Sequence, residues 1–297
     1  MNTPAAHRTS TQPPEIGVKK TVPRLSNARS RELGEELRRV RHRARRSSAN
    51  TAQDLGWSLG KLSKLETGSR GTSSWEIASL IGRLGADKAT RDRILAIADE
   101  PDNGSFLRAH DQIPDILTAL TLHEQLALTI TTYEPLTMPS LAQTEDYACA
   151  LTGDRTLALA RLTRQNTLHQ QDNGPETTVF VHEAALRTMV GDPAVMRDQL
   201  LHLALMCGWD RFSPRVIPMS RSCHAVIRNQ ATLLTFNHPV SPLAYTETDT
   251  VTVFQDEPTA VTHYQAKMRR LASLALSPAQ SHEAFASWAD RYDRETR

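Results

Sequence analysis

The feature that most constrains this chain is a pair of short helical patterns in residues 47–68, SSANTAQDLGWSLGKLSKLETG. The first pattern ends at Gly56. Ser58 is placed to cap the second, because its hydroxyl can accept a bond from an early, unpaired backbone N–H. Leu62 and Leu65 fall on one side of that second helix, which gives it one apolar face. Two short amphipathic helices joined through a glycine predict a helix-turn-helix.

The outer side of this pair supplies the candidate DNA contacts. Its side chains are basic, hydroxylated or small, and a strongly basic segment precedes them. We predict DNA contacts from Arg45, Arg46, Ser48, Ser58, Leu59, Gly60, Lys61, Ser63, Lys64 and Arg70. Bases or phosphates are expected to meet Lys61, Ser63 and Lys64, while the arginines and Ser48 anchor the DNA backbone.

The first residues of the second helix are poor in groups that read bases. Gly60 weakens the helix by about 0.5–1 kcal/mol relative to alanine. Leu59 offers only apolar contact, for instance to a thymine methyl. Base-specific recognition therefore depends on few side chains, and we expect DNA shape to contribute to the specificity. A helical bundle without a DNA partner would show similar amphipathic helices, so that alternative stays open.

The charge of the chain is unevenly distributed, although its net charge is only +2. Residues 1–49 carry twelve Lys or Arg and four Glu, a net charge of +8, which leaves −6 for the remainder. A basic front suggests a polyanionic partner such as double-stranded DNA. A solvated basic tail is the alternative reading.

Several classes of protein are disfavoured by what the sequence lacks. The three cysteines, Cys149, Cys207 and Cys223, are widely spaced and odd in number, so neither a disulfide framework nor a thiolate metal site is indicated. No apolar run reaches the roughly 18 residues that span a bilayer, and no secretory signal opens the chain. We expect a cytoplasmic protein without cofactor or metal.

Helical patterns flank the central pair and complete a five-helix domain. A helix is predicted over residues 31–43 with Ser30 as its N-cap, and Ser73 with Glu76 has the spacing of a capping box for another. A fifth follows over residues 88–98. We therefore predict a disordered basic arm at 1–28, a DNA-binding domain at 29–100, and a partner-binding, effector or dimerisation domain at 105–297.

The last two-thirds of the chain mixes helical and β-like runs. Predicted β-like runs lie near 177–181, 215–218, 231–236, 243–247 and 250–254, and residues 126–133 fit either a strand or a helix end. Helical patterns separate the earlier runs, Asp192 and Pro193 open one helix, and a long helix over 257–276 precedes a short final one. This arrangement predicts an α+β domain with a small, mostly antiparallel sheet.

Both parts resemble known families. The strings LGEELRRVR at 33–41 and DLGWSLGKLSKLETG at 54–68 resemble the Xre/Cro-like, lambda-repressor-like helix-turn-helix regulators. The back domain is similar to a C-terminal domain of unknown function on actinomycete Xre-type regulators. The motifs that carry this second resemblance are YEP at 133–135, QTEDY at 143–147, EAALR at 183–187, GDP at 191–193 and YTE at 245–247. It implies an antitoxin-like transcriptional regulator encoded beside a small partner protein.

No enzyme motif is complete in the back domain. His182 and Glu183 begin like H-E-x-x-H, but Leu186 stands where the second histidine would be, and neither G-x-S-x-G nor a phosphate-binding glycine loop occurs. We predict that the chain is not an enzyme. Residues that could line a polar ligand or partner pocket are Gln143, Tyr147, Glu183, Arg187 and Glu247, although capping and pairing within the fold is the favoured explanation for them.

These observations favour a sequence-specific, homodimeric DNA-binding transcriptional regulator whose back domain senses a ligand or a partner. The alternative is an antitoxin-like interaction protein that binds a small partner and regulates its own promoter.

Overall fold

The fold is described from a computed structural model that covers residues 26–69, 71–110, 115–169, 174–221 and 227–296. Arg70 and most of the predicted arm, residues 1–25, lie outside the described residues. Within the described ranges, no helix is both long enough and apolar enough to cross a membrane.

Each of the first five helices is preceded by a residue whose side chain caps it. The N-cap side chains accept a hydrogen bond from the backbone N–H three residues on, which satisfies a donor that lacks a partner inside the helix. The caps are Asn27, Ser47, Ser58, Ser73 and Asp87. The helices are α1 (Ala28–Arg43), α2 (Ser48–Asp54), α3 (Leu59–Glu66), α4 (Ser74–Arg83) and α5 (Lys88–Asp99).

The apolar stripes of these helices meet in one core. Its fully buried members are Leu37, Leu62, Leu80, Ile81 and Ile94, with Leu33, Ala44 and Leu55 packed against it. The stripes predicted from 3.6-residue periodicity therefore face inward as expected.

The start of α1 differs from the prediction. The helix begins at Ala28 and is capped by Asn27, whose side chain accepts from the Ser30 backbone N–H at 2.7 Å. Ser30, the predicted cap, instead donates from its hydroxyl to the Asn27 and Gly68 carbonyls. The Ala28 N–H, which has no partner inside the helix, bonds to Asp256 of the back domain at 2.8 Å. Residues 27 and 28 are thus part of this helix and not of the arm.

The back domain is built on one seven-stranded sheet with the order β1-β7-β6-β5-β2-β3-β4. Four neighbouring pairs are antiparallel, while β2–β3 and β3–β4 are parallel, so the sheet is mostly antiparallel as predicted. The strands are β1 (Ser105–Ala109), β2 (Thr129–Glu134), β3 (Glu176–His182), β4 (Phe212–Ile217), β5 (Ala231–Thr235), β6 (Leu243–Glu247) and β7 (Val251–Gln255). Strand β1 was not predicted from the sequence; it is short, and its side chains are mostly exposed apart from the buried Phe106.

Helices cover both faces of this sheet. They are α6 (Asp115–Leu126), α7 (Glu145–Thr152), α8 (Arg155–His169), α9 (Glu183–Arg187), α10 (Pro193–Met206), α11 (Pro258–Leu274) and α12 (Pro278–Thr296), and a 3₁₀ turn spans Met219–Arg221. The last helix has 19 residues, so the prediction of a short final helix was wrong.

Alternation along the strands assigns neighbouring residues to opposite faces of the sheet. Phe180 and Leu233 pack with α11, whereas the adjacent Val179 and Leu234 belong to the cores under the remaining helices. The outer edge of β4 is closed by the chain around α12, since the Val216 N–H bonds to the Ser281 hydroxyl.

Candidate nucleic-acid interface

The second helix of the helix-turn-helix, α3, is held firmly against α1. Gly34 permits the close approach, because a Cβ atom there would lie 2.5 Å from the Glu66 carbonyl oxygen. Arg41 of α1 also donates two hydrogen bonds, of 2.6 and 2.8 Å, to the Glu66 carboxylate. Both side chains are almost fully buried. The inner side of α3 is therefore fixed by packing and by an ion pair, and its outer side faces solvent.

The turn between α2 and α3 depends on a glycine. Gly56 adopts φ +65°, the left-handed region that side chains rarely occupy. Ser58 then starts α3, and its hydroxyl accepts from the Lys61 backbone N–H at 3.1 Å. The helix-turn-helix and the Ser58 cap predicted from the sequence are both present.

The predicted contact residues on α3 share one exposed side. Leu59, Gly60, Ser63 and Lys64 are exposed, and space is open around Gly60. Lys61 is engaged within the protein: its ammonium bonds to Glu76 of α4 and lies 4.1 Å from the centroid of the Trp57 ring. Sequence patterns do not indicate this engagement, because the acidic partner lies on another helix.

The described backbone anchors lie around the N-terminus of α2. Arg45 is exposed in a left-handed turn with φ 54°, and Ser48 is half-buried as the first residue of α2, whose cap is Ser47. Arg46 is exposed and paired with Asp54. Arg70, the remaining predicted contact, lies outside the described residues.

Two residues of α4 also belong to this surface, and only Glu76 was singled out from the sequence, as the capping-box partner of Ser73. Glu76 accepts from both Lys61 and Thr72, and these bonds lower its pKa to about 2, so it remains a carboxylate. Trp75, the residue before it, is 77% exposed. The sequence pattern indicates the exposure of Trp75, because this residue lies off the inward-facing stripe that includes Ile77 and Leu80.

The five predicted pocket residues are distributed over three places. Gln143 and Tyr147 are buried, and both bond to the Met138 backbone. Glu183 pairs with Arg187 on α9 and also accepts from the Met219 N–H. Glu247 lines a large cavity. Of the five, Glu247 is the one that lines this cavity, and the other four make hydrogen bonds within the protein.

The cavity beside Glu247 has a volume of about 890 Å³. It lies between the strand ends and α11, and its wall includes Pro135, Gln230, Glu247, His263, Tyr264 and Lys267. The neighbouring Glu134 carboxyl has a pKa raised to about 8, mainly by burial and next by the charge of Glu247, against the opposing effect of Arg161 and Lys267. Among the residues with described positions, no three His, Cys, Asp or Glu side chains group as a metal site.

A buried ion cluster joins the helical domain to the sheet. Arg108 of β1 binds Glu32 of α1 in two hydrogen bonds of 2.7 and 2.6 Å and also binds Glu100 at 2.7 Å. Burial raises the pKa of Glu32 despite this pairing. His123 lies fully buried nearby, and burial, with the charges of Arg31 and Arg108, holds its pKa well below the usual range. Because α1 also holds α3, this cluster connects the sheet to the exposed helix.

Comparison with known proteins finds a matching domain in each part of the chain. Residues 32–94 match a helix-turn-helix domain, and residues 117–287 match a domain of unknown function, DUF5753. Among curated proteins no relative matches the chain.

One solved structure is similar, that of "TrmBL2, an archaeal chromatin protein", which "shows a novel mode of DNA binding". It is 12% identical, with 68% of this chain and 70% of that one covered, and its TM-score of 0.29 is too low to support an argument. The helix-turn-helix match supports a DNA-binding regulator. The DUF5753 match spans more than half of the 297 residues, and the chain belongs to that family.

Proposed function

We propose that this chain is a sequence-specific DNA-binding transcriptional regulator in which α3 enters the major groove. The observation that carries the proposal is the asymmetry of α3. Its inner side is locked to α1 by Gly34 and the Arg41–Glu66 pair, and its outer side is exposed at the end of a basic segment. An exposed second helix beside a basic flank is the arrangement that reads DNA in this motif.

Within this proposal, different side chains have different tasks. Lys64 and Ser63 lie on the exposed side of α3, while Arg45 and Ser48 lie where the motif meets the phosphate backbone. Arg46 and Lys61 already have acidic partners, Asp54 and Glu76, which offset their charge toward an approaching phosphate. Among the predicted cations with described positions, Arg45 and Lys64 are therefore the main candidates for contacts to DNA.

The test measures DNA affinity of the full chain as a function of salt concentration. The double variant Arg45→Ala/Lys64→Ala should bind more weakly, and its salt slope should be smaller by about 0.9 for each phosphate that is no longer neutralised. Arg155→Ala serves as the matched control, because it removes an exposed positive charge from the back domain. Unchanged affinity and slope in the double variant would contradict the proposed interface.

We further propose that the protein acts in the cytoplasm as a homodimer of the Xre/Cro-like, antitoxin-like type and has no enzymatic activity. A single helix-turn-helix reads one half-site, and two-fold pairing would supply the second. Sedimentation of the full chain with a selected DNA duplex tests the pairing. One protein per duplex with a single half-site protected would contradict the dimer.

For the back domain we propose that it senses a ligand. The cavity beside Glu247 offers space for a small polar ligand, and the Arg108 cluster joins the same sheet to α1. A ligand would act on DNA affinity only if it bound one arrangement of the domains more tightly than the other. Ligand screening against the full chain, with and without DNA, tests this. Equal affinity in both states would contradict coupling.

The second candidate is an interaction protein that binds a small partner and regulates its own promoter. The resemblance of the back domain to antitoxin-like regulators supports it. Co-expression of the full chain with the product of an adjacent short gene should yield a stable complex. Separate elution of the two chains would contradict this candidate and leave DNA binding unaffected.

A further inference from the structure

The leading turn of α3 presents an apolar surface where a DNA-reading helix usually presents polar groups. Leu59 is the first residue of the helix, immediately after the Ser58 cap, and 54% of it is exposed. Gly60 follows, and nothing lies within 4 Å of the position that a Cβ would occupy. The fold therefore leaves more than half of Leu59 in water, and the open space beside it allows another molecule to come close.

Lys61, the cation in this turn, is not available for reading bases. Its ammonium is bonded to Glu76 and rests over the Trp57 ring at 4.1 Å. Glu76 is anchored in turn by the Thr72 hydroxyl. A contact from Lys61 to a guanine would have to compete with both interactions. The polar groups that specify bases therefore lie further along the helix, at Ser63 and Lys64.

The first residues of a recognition helix approach base edges in the major groove. The apolar feature on those edges is the C5-methyl group of thymine. Leu59 matches that group in chemistry and stands at the leading end of α3. On this basis, and resting on the proposed DNA binding, we propose that Leu59 reads a thymine methyl group in the operator.

The test begins with duplexes selected from a random pool by the full chain. Each thymine of the selected site is then replaced by deoxyuridine, which removes only the methyl group. At one thymine per half-site, affinity should fall about fourfold, the equivalent of one buried methyl group.

Variants of the chain assign that effect to a residue. In Leu59→Ala the ratio of affinities for thymine and deoxyuridine should approach one. Leu59→Val, a smaller truncation, keeps the ratio measurable if alanine weakens binding too far. Leu128→Ala is the matched control, because Leu128 is exposed to a similar extent, 51%, but lies in the back domain, where the ratio should stay about fourfold.

The possible outcomes distinguish failure of the Leu59–methyl contact from failure of the proposed DNA binding. If the chain selects no DNA, the proposed function and the methyl contact both fail. If DNA is bound but no thymine is sensitive to the replacement, only the methyl contact fails. The same holds if the sensitivity survives in both Leu59 variants, since the methyl is then read by another residue.

Discussion

Replacing Arg108 by methionine should loosen the junction between the helical domain and the sheet. The arginine holds Glu32 through two hydrogen bonds and Glu100 through two more. Methionine keeps an apolar side chain against the Phe106 ring, over which the guanidinium lies at 4.7 Å, but supplies no charge. The substitution therefore tests the ion cluster with little change in packing.

The size of the effect follows from Glu32, whose side chain is only 6% exposed. Without Arg108 this carboxylate must stay charged and unpaired or take up a proton. Protonating a carboxyl of ordinary pKa 4.5 at pH 7 costs about 3.4 kcal/mol, at about 1.4 kcal/mol per pH unit, and this limits the loss from Glu32. Glu100 is more exposed and can be solvated by water. We expect a loss of about 3 kcal/mol, as found when one partner of a buried ion pair is removed.

The assay is urea unfolding followed by tryptophan fluorescence. Trp57 and Trp75 report on the helical domain, while Trp209 and Trp288 report on the back domain. With a urea slope of about 1–3 kcal/mol per molar, a loss of about 3 kcal/mol moves the helical transition by about 1 M or more. The fluorescence of the two domains should then change at separate urea concentrations.

Two controls make the reasoning refutable. In the variant, the folded-state pKa of Glu32 rises further above its unfolded value, so stability is retained at low pH and lost as pH rises through the folded pKa. The penalty should therefore be smaller at pH 5 than at pH 7. Glu32→Gln in the Arg108→Met background should recover most of the loss. A penalty that is independent of pH and unrelieved by Glu32→Gln would refute the account.

Three further predictions concern the support of α3 and the cavity. Gly34→Ala should destabilise the helical domain by about 1–3 kcal/mol and weaken DNA binding, because its Cβ would overlap the Glu66 carbonyl; thermal unfolding and DNA titration measure this. Gly60→Ala, which meets open space, should instead stabilise the domain by about 0.5–1 kcal/mol in the same thermal assay. Since the folded pKa of Glu134 is raised to about 8, part of the stability should be lost as pH rises from about 5 to 8. Glu134→Gln should flatten this dependence in melting temperatures recorded across that range, and an unchanged slope would contradict the assignment.

The sequence determined the features that depend on near neighbours. The Ser47, Ser58 and Ser73 positions and the apolar stripes define where α2, α3 and α4 begin and which way they face, because capping and helical periodicity act within a few residues. The approximate positions of β2 to β7 and the α+β class followed from the same local patterns. The boundary residues of α1 did not, since the Ala28 N–H is satisfied by Asp256, 228 residues away.

Only the tertiary structure decided which charged side chains remain available. Lys61 is bonded to Glu76, which lies 15 residues later in the sequence. Arg108 is bonded to Glu32, which lies 76 residues earlier. Strand β1 forms by pairing with β7, and of the five predicted pocket residues Glu247 is the one that lines the large cavity. Each of these outcomes depends on contacts between segments distant in the chain, and no local pattern of residues encodes their distances.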